Sequence, residues 1–267
     1  MSWETVNHYY SGQGVVMLAK RDANGNPLGF NPVGNVSDLK IGVAVSTLEH
    51  KESSTGQRAT DLRLTTETKC SLSMTVENFI ADNLADSLRG ASTTVASGTV
   101  TDADLTGFSG LISNLPHINV SSVVVKDTET TPNTLVAFVD ADTDWDYRVN
   151  EEAGSIILNS DVATRATSMT IDADEGIALT ISYSYGAQML VDALTEGATE
   201  LYMRFEGLNT AESNDPVVVE VFKFLTDPLK ELALISDTVQ QFTLEGSVLA
   251  DATKLTGSKF FKVIKSN

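Results

Sequence analysis

The sequence predicts an all-β protein with one flanking helix, and two observations support this. Glycine is frequent, with 18 residues against 6 prolines, and threonine, valine and serine, which favour strands and turns, are abundant. Several stretches also alternate apolar and polar side chains with a period of two, the pattern of a half-buried strand. With 267 residues, the chain is long enough for one large domain or two ordinary ones.

The charge balance is strongly acidic. The chain carries 36 acidic and 18 basic side chains, a net charge of −18, which excludes a basic nucleic-acid clamp. The single cysteine, Cys70, has no partner for an intramolecular disulfide, and the longest apolar runs are far shorter than the roughly 18 residues of a membrane span. The start of the chain lacks the pattern of a signal peptide. We therefore expect a protein made in the cytoplasm, with no membrane partner.

Two neighbouring stretches predict the longest strands. Leu39 to Thr47 alternates strictly, and Leu62 to Glu77 keeps one phase with apolar side chains at even positions. At about 3.3 Å per residue the second strand is several times longer than usual, so it must bend, belong to a barrel or pair beyond its own subunit. The segment 48–61 between them has the composition of a polar, flexible loop. The side chains expected to pack on the core are Leu62, Leu64, Cys70, Leu72, Met74 and Val76.

A single helix is predicted from Phe79 to Arg89. Asn78 is the expected N-cap and Gly90 the expected C-terminal stop. The apolar side chains recur every four residues, which predicts a buried face. That face consists of Ile80, Leu84 and Leu88, with Ala81 and Ala85 beside it.

The middle of the chain predicts a separate domain. The small polar stretch Ala91 to Leu111 has the composition of a linker or a weak strand pair. Short strands with frequent turns then predict a small inserted β-sandwich over 112–186. Longer strands return from residue 187. We therefore expect one domain formed by residues 1–111 and 187–267, interrupted by the insert.

No arrangement of residues predicts catalysis or a cofactor. Gly12 and Gly14 are not followed by the third glycine of a dinucleotide loop, and the serine within Gly107 to Gly110 has the wrong spacing for a nucleophile elbow. The three histidines lie far apart, and none begins a zinc-type spacing. The expectation is a protein that is not an enzyme and holds no cofactor.

One acidic stretch resembles a calcium-binding loop in its spacing. The residues that match positions 1, 3, 5 and 12 of such a loop are Asp140, Asp142, Asp144 and Glu151. However, Trp145 stands where the sharp turn requires glycine, and Arg148 adds a positive charge at position 9. An ordinary acidic turn is the preferred interpretation, and no metal site is expected.

Several segments together resemble one known family. LAKRDANGNPLGFNPVGNVSDLKI, LEHKESSTGQRATDL, the helix FIADNLADSLRG, RFEGLNTAE and FTLEGSVLAD follow one another along the chain. They are similar to the major tail tube protein of long, flexible-tailed bacteriophages. The middle region instead resembles the immunoglobulin-like modules of many phage structural proteins, through the hairpin Asp146 to Ile156.

The resemblance implies a fold, an assembly and partners. Tail tube subunits are β-sandwiches with a flanking helix that join their inner strands into hexameric rings, and the rings stack into a conduit for genomic DNA. Besides copies of itself, the partners would be the tail-tip initiator, the tape measure protein and the tail terminator. DNA would pass without specific binding, because an acidic wall does not trap it. The protein would reside in the virion tail after assembly in the host cytoplasm.

Two sets of residues follow from the resemblance. The polar face of the long strands would line the lumen, with Lys69 an exception to its acidic character. The expected lumen residues are Thr65, Glu67, Ser71, Ser73, Thr75, Gln241, Thr243, Glu245 and Ser247. The segment 48–61 would reach a neighbouring ring and order on assembly. Its charged residues are Glu49, Lys51, Glu52, Arg58 and Asp61.

A second hypothesis is an adhesin. In this interpretation a virion-surface or secreted protein binds host glycans through its immunoglobulin-like domain, and the flanking domain anchors it. A tube protein of a contractile injection or type VI secretion system is a variant of the first hypothesis. The position of the insert favours the tube, because an adhesin would more naturally carry its binding domain at a terminus.

Overall fold

The computed structural model describes residues 8–54, 56–128, 134–135, 137, 145–159 and 176–266. Within these ranges one helix accompanies antiparallel sheets, so the predicted all-β fold with a single helix is confirmed. The elements are β1 Gly12–Lys20, β2 Asn31–Gly34, β3 Val36–Lys51, β4 Thr60–Val76, α1 Ala81–Leu88, β5 Ala91–Val95, β6 Gly98–Gly107, β7 Ile112–Asn114, β8 Val120–Asp127, β9 Tyr147–Asn150, β10 Ser155–Leu158, β11 Ile177–Tyr185, β12 Gln188–Asp192, β13 Glu200–Asn209, β14 Asp215–Thr226, β15 Phe242–Val248 and β16 Phe261–Lys265.

The chain divides into two compact units. Unit 1 comprises Met1–Ser92 with Val191–Asn267, and unit 2 comprises Thr93–Leu190. We expected the insert over 112–186, but β6 pairs with β11 inside unit 2 and moves the first boundary towards the N-terminus. The stretch 91–111, expected as a linker or weak strand pair, holds the strands β5 and β6.

Unit 1 is built on an eight-stranded sheet. Its order is β2-β1-β13-β14-β15-β4-β3, and β16 adds to β14. A single cluster of buried apolar side chains includes Val33 of β2, Phe224 of β14 and Cys70 of β4. Because strands from distant positions in the order share one core, the sheet curves around it. Burial raises the pKa of the Cys70 thiol and keeps it protonated.

The helix α1 is shorter than expected and differently capped. It covers Ala81–Leu88, and Ile80 rather than Asn78 occupies the N-cap position, without a side-chain cap. Arg89, rather than Gly90, adopts the left-handed conformation that ends the helix. The buried helical residues are Asn83, Ala85 and Ser87. The helix is therefore rotated about its axis relative to the expected apolar face. Its inner face includes Asn83, whose amide donates to the Val33 carbonyl at 2.7 Å.

Unit 2 contains two three-stranded antiparallel sheets, β7-β10-β9 and β6-β11-β8. Both contribute to one core, through Ile156 and Leu158 of β10 and Leu179 of β11. Tyr147 donates a hydrogen bond from its phenol to the Val123 carbonyl at 2.9 Å. The immunoglobulin-like interpretation of this unit stays a prediction. Among the described residues, no helix combines the length and apolar character needed to span a membrane.

A buried carboxylate ties together three strands of unit 1. Glu220 of β14 accepts hydrogen bonds from Tyr202 at 2.9 Å and from Arg204 at 2.5 Å, and Lys262 lies 2.7 Å away. Burial alone would raise the pKa of Glu220, but the hydrogen bonds from Lys262 and Tyr202 and the charges of Lys262 and Arg204 outweigh it. The net effect lowers the pKa of Glu220 in the folded chain.

A lowered carboxylate pKa stabilises the folded state above the ordinary pKa, and this stabilisation is lost as the pH falls through the folded value. We expect Glu220→Gln to be less stable than the parent near neutral pH. The difference in unfolding free energy should narrow as the pH falls below the ordinary value of 4.5. Urea titrations at a series of pH values measure it, with the exposed Glu231→Gln as the matched control. A constant difference down to pH about 3 contradicts the assignment.

Candidate assembly surface

The hairpin β3–β4 is the longest element of the chain. Its ladder runs from the pair Val36 and Val76 to the pair Lys51 and Thr60. The segment 48–61, expected as a loop, is therefore mostly strand, and only residues 52–59 form the turn. The Glu52 amide donates a hydrogen bond to the Ala59 carbonyl at 2.9 Å, directly beyond the last pair of the ladder. This bond satisfies two further backbone groups and closes the turn.

The five residues expected to contact a neighbouring ring lie at the end of this hairpin. Glu49 and Lys51 end β3, and Asp61 lies near the start of β4. Glu52 and Arg58 lie in the turn. Glu49 faces Arg63 at 3.8 Å, and Asp61 lies 2.7 Å from the His50 ring.

The distal part of the hairpin extends beyond the core and is exposed along its length. We call residues 43–51 and 60–69 the arm. Every arm residue is exposed except Thr47, which is half-buried. β15 pairs with β4 only from Cys70 to Val76, so sheet and core both end where the arm begins. A two-stranded hairpin is marginal by itself in water, so the arm needs a partner for full stability.

A β-bulge reverses the faces of the arm. Ser46 pairs with Glu67, whereas the next residue, Thr47, pairs with Thr65. The extra residue of β4 shifts its alternation by one, so Thr65 lies on the opposite face from Glu67. Arg63 also follows the new phase, because its Nε donates to the Thr47 hydroxyl at 3.3 Å.

The bulge overturns two expectations. The single phase expected along β4 does not persist, and Thr65 does not share a face with the other proposed lumen residues. Leu62 and Leu64 were expected in the core but lie exposed beyond the bulge. Five apolar side chains of the arm are between 49% and 58% exposed, namely Val43, Val45, Leu48, Leu62 and Leu64. Apolar surface of this kind marks an interaction site.

Most of the proposed lumen residues share one face of the sheet near the root of the arm. In the β4–β15 ladder, Ser71 is opposite Ser247, Ser73 is opposite Glu245 and Thr75 is opposite Thr243. Glu67 lies further along the same face, before the bulge. Gln241 precedes β15, and its amide donates to Glu77 at 3.3 Å. We call this surface, with Asp38, Lys40 and Lys69, the polar face.

Charges on the polar face are paired. Lys40 lies 2.5 Å from Asp38, and Lys69 lies 3.1 Å from Glu67. Lys230, from the segment after β14, pairs with Glu245. The expected exception, Lys69, is thus paired with a carboxylate, and so are the two other lysines; the acidic lumen wall itself stays a prediction.

The outer edge of β3 is open. β3 ends the order of the sheet and pairs only with β4 within the described residues. It is 16 residues long, so a long row of backbone donors and acceptors faces outwards. An edge of this length pairs readily with a strand of another chain.

Comparison with known proteins places the chain in a protein family. A family model matches residues 9–264 and so includes both units. The chain belongs to the family described as protein of unknown function UCP028589. No curated protein matches the chain. Since the description of the family names no activity, the case for a function depends on the surfaces described above.

The calcium-like stretch lies mostly outside the described residues. This applies to Asp140, Asp142 and Asp144, whereas Glu151 begins the turn between β9 and β10. In the part of the chain that the structure describes, no three histidine, cysteine, aspartate or glutamate side chains gather as a metal site would require.

Sequence reasoning missed two features of the candidate assembly surface, namely the pair Asp38 and Lys40 and the open edge of β3. The pair Asp38 and Lys40 belongs to the polar face, and the alternation of Leu39 to Thr47 was the signal for it, since that phase places Lys40 opposite Leu39. The open edge of β3 has no sequence signal, because it depends on which strand the chain leaves unpaired.

Proposed function

We propose that this protein is a structural subunit that polymerises as stacked hexameric rings into the tail tube of a long-tailed bacteriophage. The observation that carries the proposal is the arm, a long hairpin whose apolar side chains are exposed on both faces. Such an element is stabilised by burial against other copies. A catalytic role has no support from any group of residues described above.

Ring closure follows from the open edge of β3. A strand from a neighbouring copy that pairs with this edge extends the sheet across the subunit boundary. Repetition of the same contact around a rotation axis closes the ring and leaves no edge free to aggregate. The inner strands of all copies then form one continuous barrel.

The polar face suits the lumen of such a barrel. DNA is held by unpaired lysine and arginine side chains, which displace its counterions. Lys40 and Lys69 are already paired with carboxylates, so this face offers DNA little attraction. Hydroxyl groups from serine and threonine keep the surface wet. The tube would therefore conduct the genome without specific binding.

The remaining partners are proposals from the same resemblance. A tail-tip initiator would start polymerisation, the tape measure protein would occupy the growing tube, and a terminator would end it. The protein would be assembled in the host cytoplasm and reside in the virion tail. In the adhesin alternative, unit 2 would bind host glycans and unit 1 would anchor the protein.

Negative-stain electron microscopy and analytical sedimentation of the purified full-length chain, over a range of concentrations, test the proposal. We expect hollow tubes or six-fold rings whose population rises with concentration. Stable monomers at every concentration favour the adhesin and restrict the tube proposal to polymerisation that a tail-tip initiator starts. Binding of the full-length chain to a glycan array then tests the adhesin directly.

A further inference from the structure

A groove of unit 1 combines apolar walls with a carboxylate rim. It encloses about 690 Å³ between α1, the end of β1 and the segment that leads into β13. Leu18, Val33 and Leu201 contribute apolar walls, and Leu28 projects beside them with 70% of its surface exposed. We call it the α1 groove. Its acidic lining residues are Asp82, Asp86 and Glu196.

Asp86 lacks a partner in the described chain. No hydrogen bond or ion pair to its carboxylate occurs among the described residues. Burial raises the pKa of Asp86, the charge of Lys20 opposes this shift and the charge of Asp82 adds to it. The other cation of the groove, Arg89, is already engaged, because its guanidinium donates to the Thr226 carbonyl at 2.6 and 3.2 Å. A cation that entered the groove would therefore relieve an unpaired, partly desolvated carboxylate.

The arm carries the complementary pair of properties. Lys51 at its end and Arg58 in the adjoining turn are exposed, and neither forms an ion pair within the described structure. Leu48 and Leu64, which pair across the two strands, present apolar surface just behind these charges. The arm thus offers cations at its end and apolar side chains behind them, matching the rim and walls of the groove.

We propose that the α1 groove of one copy receives the end of the arm of a second copy, with Lys51 and Arg58 meeting Asp86 and its neighbouring carboxylates. The inference rests on the proposed function, since it concerns how copies of the chain join. A second copy is the occupant because the arm extends, exposed, beyond the core of its own chain, and because both charge and apolar character match.

Charge reversal on either side tests the contact. We expect Asp86→Lys to raise the concentration needed for assembly by about tenfold or more, which corresponds to about 1.4 kcal/mol. The double variant Lys51→Glu with Arg58→Glu should have a similar effect. Asp86→Lys combined with Arg58→Glu alone leaves Lys51 to face Asp82 and Glu196 and should restore most of the assembly, because opposite charges face one another again. Asp104→Lys, an exposed change of equal charge in unit 2, is the control and should assemble normally.

Rescue separates docking from misfolding, since a chain that cannot fold is not restored by changes on the arm. Normal assembly of Asp86→Lys overturns the contact, and so does failure of the combined variant to recover. In both cases tubes or rings of the parent chain would leave the proposed function intact. Absence of any assembly by the parent chain contradicts self-assembly and the docking contact together.

A cross-linking measurement reports the proximity of the turn of one copy and the α1 groove of another directly. Copies with Arg58→Cys are mixed with copies with Asp86→Cys and treated with a short bismaleimide under assembly conditions. The buried Cys70 does not compete. We expect cross-linked dimers that contain one copy of each variant. Their absence, when assembly itself persists, overturns the proposal.

Discussion

Replacing residues 47–66 with an Asn-Gly turn should leave a folded monomer that no longer assembles. The cut follows the pair Ser46 and Glu67, and a two-residue Asn-Gly turn closes antiparallel strands at such a pair. It removes Leu48, Leu62 and Leu64, which are about half exposed and lie outside the core cluster, and leaves the core residues of β4 in place. Sedimentation should give the mass of one chain at concentrations where we expect the parent to form tubes or rings.

A graded control distinguishes the turn from the paired part of the arm. Deletion of Glu52 to Arg58 removes the turn and its arginine but keeps the apolar pair Leu48 and Leu64. If the arm acts as proposed, this deletion also yields a folded monomer that does not polymerise. Normal tubes from either variant contradict the role of the arm. Circular dichroism confirms that both retain their sheet.

Met74→Ala should cause the largest loss of stability among single substitutions in β4. Met74 is fully buried, and its cross-strand partners are Leu39 and Leu244. Truncation removes apolar contacts and leaves a cavity, so we expect the unfolding free energy to fall by about 2–5 kcal/mol. Hydrogen exchange of the β4 amides measures it in unit 1 alone, which matters because two units need not unfold together.

Leu64→Ala is the matched control on the same strand. It removes a side chain that is already half exposed in the single chain, so we expect a change of less than about 1 kcal/mol in the monomer. Assembly should nevertheless weaken, because the same side chain is proposed to be buried between copies. Equal losses of monomer stability in the two variants contradict the division of β4 into core and arm.

The course of β4 shows both the reach and the limit of sequence reasoning. Alternation predicted a strand from Leu62 to Glu77, and the observed strand covers Thr60–Val76. The apolar residues of β4 stay at even positions on both sides of the bulge, so the alternation in the sequence does not reveal that the faces are exchanged there. Only the pairing of Thr47 with Thr65 reveals the reversal. Burial depends on what lies opposite, which one strand's sequence does not record.

The helix illustrates how tertiary contacts override a local signal. Asn78 is a good N-cap residue by type, but its amide donates to the Val33 carbonyl at 3.3 Å instead. The four-residue recurrence of Leu84 and Leu88 predicted that the buried face of the helix is apolar. The structure instead buries Ser87 fully. The buried polar side chains satisfy backbone carbonyls, that of Val33 through the Asn83 amide and that of Leu84 in the same helix through the Ser87 hydroxyl.

The polar face was accessible to sequence reasoning in part. Strand phase alone selected Thr75 and Thr243, which are cross-strand neighbours despite their distance along the chain. Phase does not give register, so the direct pairing of these residues needed the structure. The groove beside α1 was not predicted, because it depends on how the helix sits against β1 and the segment that leads into β13.

The paired lysines of the polar face have a thermodynamic consequence for a polyanion moving along it. A cation that is free binds phosphate and expels the condensed sodium or potassium ions, a gain in entropy that depends on bulk salt. Lys40 and Lys69 each have a carboxylate beside them as a counterion, so passing phosphates would release fewer ions from this face. In a tube lined by this face, friction on the genome would depend only weakly on ionic strength.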